Sequence, residues 1–248
     1  MNRFFASREL WDNDSVTLDD QEAHHCARVF RHQAGDRVEA FDGAGTSAVC
    51  DIEQVSNRRV QLKIVEKSVG DPLPVEITLI QAIPKAKTMD LVVQKAAEIG
   101  AATIIPVITE RSVVKLNDEA KKRAKWQRTA LESCKQCGRN WLPNVKTPSN
   151  LGDVIQEESS ELRLVAALDK NSRKLRDIAA ESESRPKTLS VVIGPEGDFS
   201  PNELEMLKRA KFESLSLGPT VLRSETAAIY ALSIISHEFL DGTAEFRA

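Results

Sequence analysis

The sequence predicts an α/β protein in two parts: a small antiparallel β-barrel over residues 1–72 and a mainly parallel, helix-covered sheet over residues 73–248. Three observations carry that expectation. The first part alternates apolar and polar positions between tight-turn residues, which is the period of half-buried strands. Gly70, Pro72 and Pro74 then crowd together in SVGDPLPVE, a break that suits a domain boundary. From Val75 onward, short apolar runs alternate with helical stretches, the pattern of parallel strands covered on both faces.

Within the first part, DDQEAHHCARVF predicts a short helix. RVEAFDG, TSAVCDIEQV and RRVQLKIVE predict strands, with Asp42-Gly43 and Ser56-Asn57 at the turns between them. In the second part, ITLIQAI leads into a helix ending at Gly100, and TIIPVIT follows it. A long basic helix spans roughly residues 118–139, and LRLVAAL, LSVVIG and ESLSLG are further strands. The helix after Phe199 is well marked: Ser200 is an N-cap, Pro201 takes the first position and Glu203 completes a capping box. The last helix, about residues 225–240, is apolar on most sides through Ala227, Ala228, Ile229, Ala231, Leu232, Ile234, Ile235 and Phe239. Such a helix is buried, in its own domain or against a second subunit.

With 248 residues, 41% of them hydrophobic, the chain can bury a full core without staples. No apolar run approaches the ~20 residues that span a bilayer. The stretch MNRFFASRELWDND is too acidic for a secretory signal, and four cysteines without one predict a reducing, cytoplasmic setting. The net charge of −3 conceals a basic middle: residues 81–147 carry 13 Lys and Arg against 6 Asp and Glu. Lys121, Lys122, Arg123, Lys125, Arg128, Lys135 and Arg139 supply most of the excess. Any one of these charges can be a solvated helix face, but the excess over the whole segment favours a polyanionic partner.

Ligands of open α/β sheets bind beyond the carboxyl ends of the strands. Three loops fit that position: Leu168-Asp169-Lys170, residues 194–199 and residues 217–224. The turn Gly194-Pro195-Glu196-Gly197 lacks the Lys and Ser/Thr of a phosphate loop and the three spaced glycines of a dinucleotide turn. Glu196 and Asp198 would also repel a polyphosphate. Two readings stay open from these residues: a turn approached by a neutral or cationic ligand, or a tight turn with none.

Cys134 and Cys137 form a CxxC pair near the end of the basic helix. Zinc would need two more ligands at suitable spacing, and Cys26 and Cys50 lie far off in the barrel segment, so a packing role is expected. His24, His25 and His32 lack the i, i+4 spacing of a metal site, and no metal is expected; polar contacts to RNA suit them better. His237 stands alone in an apolar helix, which leaves no Ser/His/Asp arrangement. Arg223 precedes the last helix, with Ser224 as its expected N-cap. A cation there is disfavoured by the helix dipole, a hint that it faces an anion or a developing negative charge.

Taken together, QAIPKAKTMDLVVQKAAEIG, ERS, IGPEGDFSPNE and LGPTVLRSETAA resemble the bacterial 16S rRNA uracil-N3 methyltransferases of the SPOUT superfamily, and HCARVFRHQAGDRVEAFDG matches them as well. The resemblance covers nearly the whole chain, in order. It implies an N-terminal PUA-like barrel that helps hold RNA over residues 1–72. It also implies a C-terminal SPOUT domain over residues 73–248 whose end is threaded into a trefoil knot. It implies a homodimer, S-adenosylmethionine as cofactor, and 16S rRNA or the assembled small ribosomal subunit as partner. The cofactor residues it implies are Leu168, Ile193, Gly194, Pro195, Glu196, Gly197, Leu217, Gly218, Pro219, Leu222, Arg223, Ser224, Thr226 and Ala227. A sulfonium cation tolerates Glu196 where a polyphosphate would not. Two positions depart from the family: Asp198 stands where a second Gly is usual, and Ser224 where Thr is common.

For catalysis, Arg223 is expected to stabilise negative charge on the uracil oxygens, and Glu225 or Glu196 to take the N3 proton. Arg3, His25, Arg31, Lys85, Lys87, Arg111, Arg128 and Arg139 are the expected RNA contacts. Rival readings are a knotted methyltransferase acting on another RNA, such as tRNA, and a non-catalytic ribosome-assembly factor that has kept the fold.

Overall fold

A computed structural model describes residues 1–85, 88–112, 118–181 and 184–240. The chain divides into two compact units, residues 1–72 with 131–142, and residues 73–130 with 143–248.

The first unit is built on a five-stranded sheet. Its elements are β1 (Arg3–Phe5), β2 (Ser15–Asp19), α1 (Asp20–His24), a π-helical turn (His25–Val29), β3 (Arg37–Phe41), β4 (Thr46–Val55) and β5 (Arg59–Val69). The strand order is β1-β3-β4-β5-β2. The pairs β3–β4, β4–β5 and β2–β5 are antiparallel, as the alternation predicts. β1 departs from that expectation by pairing parallel to β3 at the sheet's edge. Register shifts in β4 at Val49/Cys50 and Ile52/Gln54 coil the sheet around its core. Phe4, Leu18, Ile52 and Leu62 lie fully buried in that core.

Residues 131–142 join this unit through contacts that local sequence patterns cannot announce. Arg3, only 8% exposed, donates to the carbonyls of Cys134 (2.8 Å) and Arg139 (3.2 Å), and its guanidinium lies 4.3 Å from the Phe41 ring centre. It also pairs with Glu39 at 3.1 Å. The indole N–H of Trp141 donates to the carbonyls of Gly70 and Asp71, and its ring covers Gly45 so closely that a Cβ there would sit 2.6 Å from it. Lys135 reaches Glu22 at 2.9 Å in a largely buried ion pair.

In the second unit every strand pair is parallel. The elements are β6 (Glu76–Ala82), α2 (Thr88–Ile99), β7 (Thr103–Ile108), α3 (Glu119–Cys137), β8 (Asn144–Val145), β9 (Ser149–Asn150), α4 (Leu151–Glu157), β10 (Leu162–Ala166), α5 (Leu175–Ala180), β11 (Thr188–Ile193), α6 (Pro201–Arg209), β12 (Glu213–Ser214) and α7 (Ser224–Leu240). The last turns of α3 belong to the first unit. The order is β12-β10-β11-β6-β7-β8, with β9 also on β7. Central β6 and β11 are nearly continuous apolar runs, as burial on both faces demands. The capping box of α6 forms as expected, and the buried Glu203 carboxylate also accepts the Glu110 N–H at 2.9 Å. α7 packs on α2, burying Ala228, Ala231, Leu232 and Ile235. Among the described residues no helix is long and apolar enough to cross a membrane.

The turn after β3 shows how one carboxylate organises the first unit. Asp42 Oδ1 accepts the N–H groups of Ala44 (2.8 Å) and Thr46 (2.9 Å), and Oδ2 pairs with Arg8 at 3.1 Å. Burial pushes its pKa up, but these donors outweigh burial and hold it below the ordinary aspartate value of 3.8. Its stabilisation is therefore complete above that value and is lost as pH falls through the lower folded-state pKa. Asp42→Ala should lower unfolding free energy by about 2 kcal/mol at neutral pH. In denaturant titrations the gap between the two proteins should narrow in acid; a gap independent of pH would contradict this role.

Candidate active site

The loops that follow β10, β11 and β12 meet at the carboxyl edge of the parallel sheet. They enclose a cavity of about 330 Å³ lined by residues 166–170 and 172, by 193–196 and 198, and by 215–218, 220–222, 224 and 227. That volume falls in the range of small-molecule sites.

The β11 loop has a compact local origin. Gly194 lies under the Phe199 ring, where a Cβ would approach within 3.0 Å. The Asp198 N–H closes the turn onto the Pro195 carbonyl at 3.0 Å. Asp198 takes a φ of 57°, which explains the usual glycine there and why aspartate, tolerant of the left-handed region, can replace it. Glu196 Oε1 accepts the Lys85 N–H at 3.0 Å, and Arg111 Nη1 donates to the Gly197 carbonyl at 2.8 Å.

A second device ties the loop to the helix behind it. Gln81, fully buried at the end of β6, donates through Nε2 to the Ala82 carbonyl (2.8 Å) and to Ser224 Oγ (2.9 Å). Ser224 Oγ in turn donates to the Gly194 carbonyl at 2.7 Å. Ser224 is thus not the N-cap expected of it. It is the first residue of α7, while the Arg223 carbonyl accepts the Ala227 N–H at 2.8 Å. The hydroxyl goes across the sheet edge because the Gly194 carbonyl and the Gln81 amide are both buried there.

Of the residues expected at the cofactor, Leu168, Ile193, Gly194, Pro195, Glu196, Leu217, Gly218, Leu222, Ser224 and Ala227 line the cavity. Gly197, Pro219, Arg223 and Thr226 fall outside that lining. Glu225, expected to act on the proton, is also outside it and half-buried, whereas Arg223 is exposed. The residues not singled out for binding include Asp169, Lys170, Ser172, Ser216, Thr220 and Val221. Asp169, Lys170, Thr220 and Val221 lie on the loops named from the sequence, whereas Ser172 and Ser216 fall just outside their bounds.

The expected RNA residues are placed unequally. Arg31, Lys85, Arg111 and Arg128 are exposed, and His25 is half-buried. Arg3 is not a surface contact, because its guanidinium is enclosed by backbone carbonyls and the Phe41 ring. Arg139 is half-buried, and loss of hydration lowers its pKa. Lys87 lies outside the described residues. All four cysteines are free, and burial pushes the Cys134 thiol up to about 12, which suits packing rather than thiolate chemistry. Glu22, His25 and Glu132 do approach one another, but the Lys135 ammonium already sits on both carboxylates.

The cavity suits the cofactor implied by the motifs. The backbone N–H of Asn171 and the Ser214 hydroxyl hold the Asp169 carboxyl below its usual range, so it is ionised at neutral pH. Among the described residues the cavity's charged lining is Asp169, Glu196 and Asp198 against Lys170, a balance that favours a cation and disfavours polyphosphate. Leu168 and Val221, 67% and 75% exposed, stand in the lining as apolar surface available to a flat ring.

A parallel-sheet domain with a loop-built cavity, preceded by a coiled small sheet, agrees with the RNA methyltransferase class that the motifs resemble, and comparison with known proteins bears that class out. A family model described as an RNA methyltransferase domain matches residues 71–236, and one described as an RNA methyltransferase PUA domain matches residues 18–65. Ribosomal RNA small subunit methyltransferase E of Bacillus subtilis is 31% identical, covering 96% of this chain and 97% of its own. The enzyme of that name from Neisseria gonorrhoeae, solved bound to S-adenosylmethionine, superposes with a TM-score of 0.88 at 30% identity, over 98% of this chain and 100% of that one. A Legionella pneumophila methyltransferase in complex with the same cofactor gives 0.87 at 34%, over 95% and 97%. The chain belongs to the ribosomal RNA small subunit methyltransferase E family.

Ser224→Ala removes the acceptor of Gln81 and the donor to Gly194. Affinity for S-adenosylhomocysteine, measured by calorimetry, should fall about tenfold, the effect of leaving buried polar groups unpaired. Ser224→Thr, which keeps the hydroxyl, should bind within about threefold of the native protein.

Proposed function

We propose that this protein methylates N3 of a uridine in 16S rRNA, using S-adenosylmethionine. The observation that carries the reading is the acid-lined cavity whose walls are fixed by the Gln81–Ser224–Gly194 chain. Bound there, S-adenosylmethionine supplies an electrophilic methyl group. The family relatives named for small-subunit rRNA support the substrate class.

The chain's own residues take the remaining roles. Gly194, Leu217 and Gly218 give backbone groups to the cofactor, and Leu168, Leu222 and Val221 give apolar cover. Holding two reactants in line supplies most of the acceleration in such a displacement. Arg223, exposed at the start of α7 beside lining residues Leu222 and Ser224, stabilises negative charge spreading onto the uracil oxygens as N3 loses its proton. Glu225 and Glu196 are the candidates to receive that proton. Glu196 has Oε1 on the Lys85 N–H, and among the described residues its other oxygen makes no hydrogen bond.

Arg31, Lys85, Arg111 and Arg128 are assigned to RNA phosphates, with the basic face of α3 adding Lys121 and Lys122. The homodimer, the knot threaded through the cavity loops and the cytoplasmic setting belong to the same reading. Tyr230 on α7 and Leu91 on α2, 46% and 41% exposed, are the apolar residues a second subunit would cover.

Small subunits lacking native modification, incubated with labelled cofactor, should yield labelled 3-methyluridine on nucleoside analysis. Label on another nucleoside or on tRNA would move the enzyme to a different RNA. Neither label nor cofactor binding would favour an assembly factor. Arg223→Ala should lower turnover about a hundredfold or more while cofactor affinity stays within about threefold; equal losses in both would reassign Arg223 to cofactor binding.

A further inference from the structure

The turn that follows the π-helix of the first unit is rigid, yet it presents apolar side chains to water. Val29 is 58% exposed and Phe30 48%. Neither belongs to a frayed loop. The Phe30 N–H donates to the His25 carbonyl at 2.9 Å and the His32 N–H to the Cys26 carbonyl at 3.0 Å. His32 is pinned on both ring nitrogens, by Asn2 at 3.0 Å and by Asp36 at 2.9 Å. The Phe30 ring meets the buried Phe4 ring edge to face, centroids 5.9 Å apart, so its orientation is set while half its surface stays open.

Between these fixed points Arg31 takes a φ of 59°, a strained conformation for a non-glycine residue. Arg28, also exposed, is steered by Nε onto Asn57 Oδ1 at 2.7 Å, beside the exposed Arg58. An exposed aromatic side chain is therefore flanked in the sequence by the exposed cations Arg28 and Arg31. The nearby Asp36 is already committed to His32 and to the Gln33 N–H.

We propose that residues 28–31 form a stacking platform for an unpaired nucleotide of the substrate RNA, with a base on Phe30 and the adjoining phosphates on Arg28 and Arg31. Aromatic surface beside guanidinium groups is the arrangement that holds single-stranded nucleic acid. A duplex hides its base faces and offers phosphate alone. Two apolar side chains within a basic rim make a patch much smaller than a protein partner would bury. The proposal rests on the reading that RNA is the substrate, and adds which form of RNA the first unit selects.

The test measures binding of the full-length protein to a labelled oligouridine of about ten nucleotides and to an RNA duplex of equal length, over a range of salt. Phe30→Leu keeps packing against Phe4 without the flat face. It should weaken oligouridine binding about tenfold, leave the salt dependence unchanged and leave duplex binding intact. Phe30→Trp should restore affinity and show quenched emission on binding. Arg28→Gln with Arg31→Gln should weaken both ligands and flatten the salt dependence by roughly one to two units. Phe30→Leu binding oligouridine like the native protein would overturn the platform, as would an equal loss on the duplex or a change in oligomeric mass. Methyl transfer is scored separately. Failure to transfer with intact oligouridine binding counts against the methyltransferase reading, whereas intact transfer with unaltered Phe30→Leu binding counts against the platform alone.

Discussion

A single buried amide sets the geometry on which the cavity depends. Gln81, the penultimate residue of the central strand β6, has no exposure to solvent, and the Ala82 carbonyl beside it requires a donor. That requirement fixes which end of the amide faces Ser224, because only the NH₂ can satisfy a carbonyl. Ser224 Oγ then receives a proton from Gln81, so its own proton goes to Gly194. Three segments far apart in the chain are locked by one directional chain of hydrogen bonds. Among the described residues Gln81 Oε1 has no hydrogen-bond partner, so the chain is retained at some cost to stability. A leucine at 81 would pack without that cost but would take the donor from the Ala82 carbonyl, and one at 224 would take it from the Gly194 carbonyl.

Charge is divided within the second unit in a way that suits two unlike ligands. The cavity presents three carboxylates and one ammonium, whereas α3 exposes Lys121, Lys122, Arg123 and Arg128. Lys125 on the same helix is drawn into an ion pair with Asp90. A cationic small molecule and a polyanion would each find complementary surface, and neither would compete for the other's site. The chain's slight net negative charge thus says little about its partners, because the two signs are segregated.

Much of the fold was legible in the residues because it rests on local chemistry. The alternation in TSAVCDIEQV marks β4 over its whole length, and the Ser200-Pro201-Glu203 signature marks the start of α6. The three loops around the cavity could be listed from the rule that α/β sites lie at strand carboxyl ends. What could not be read was the set of contacts between distant segments. β1 is three residues long and earns its place only by pairing with β3. Arg3 looks like a surface cation, yet Cys134 and Arg139, more than a hundred positions away, enclose it. Ser224 carries the composition of an N-cap, and only the buried carbonyl of Gly194 redirects its hydroxyl. Asp198 looked like a departure, but its left-handed backbone accounts for both the aspartate and the glycine it replaces.

The claim that the Gln81–Ser224–Gly194 chain acts as one unit in shaping the cofactor cavity is tested most directly by a double-mutant cycle. S-adenosylhomocysteine affinity would be measured for the native protein, Gln81→Leu, Ser224→Ala and the combined variant. Coupling is predicted: where two losses of about tenfold would multiply to about a hundredfold, the double variant should bind within about twofold of the weaker-binding single one, an interaction of roughly 1 kcal/mol. Losses that simply add, as they do for distant and independent sites, would contradict it.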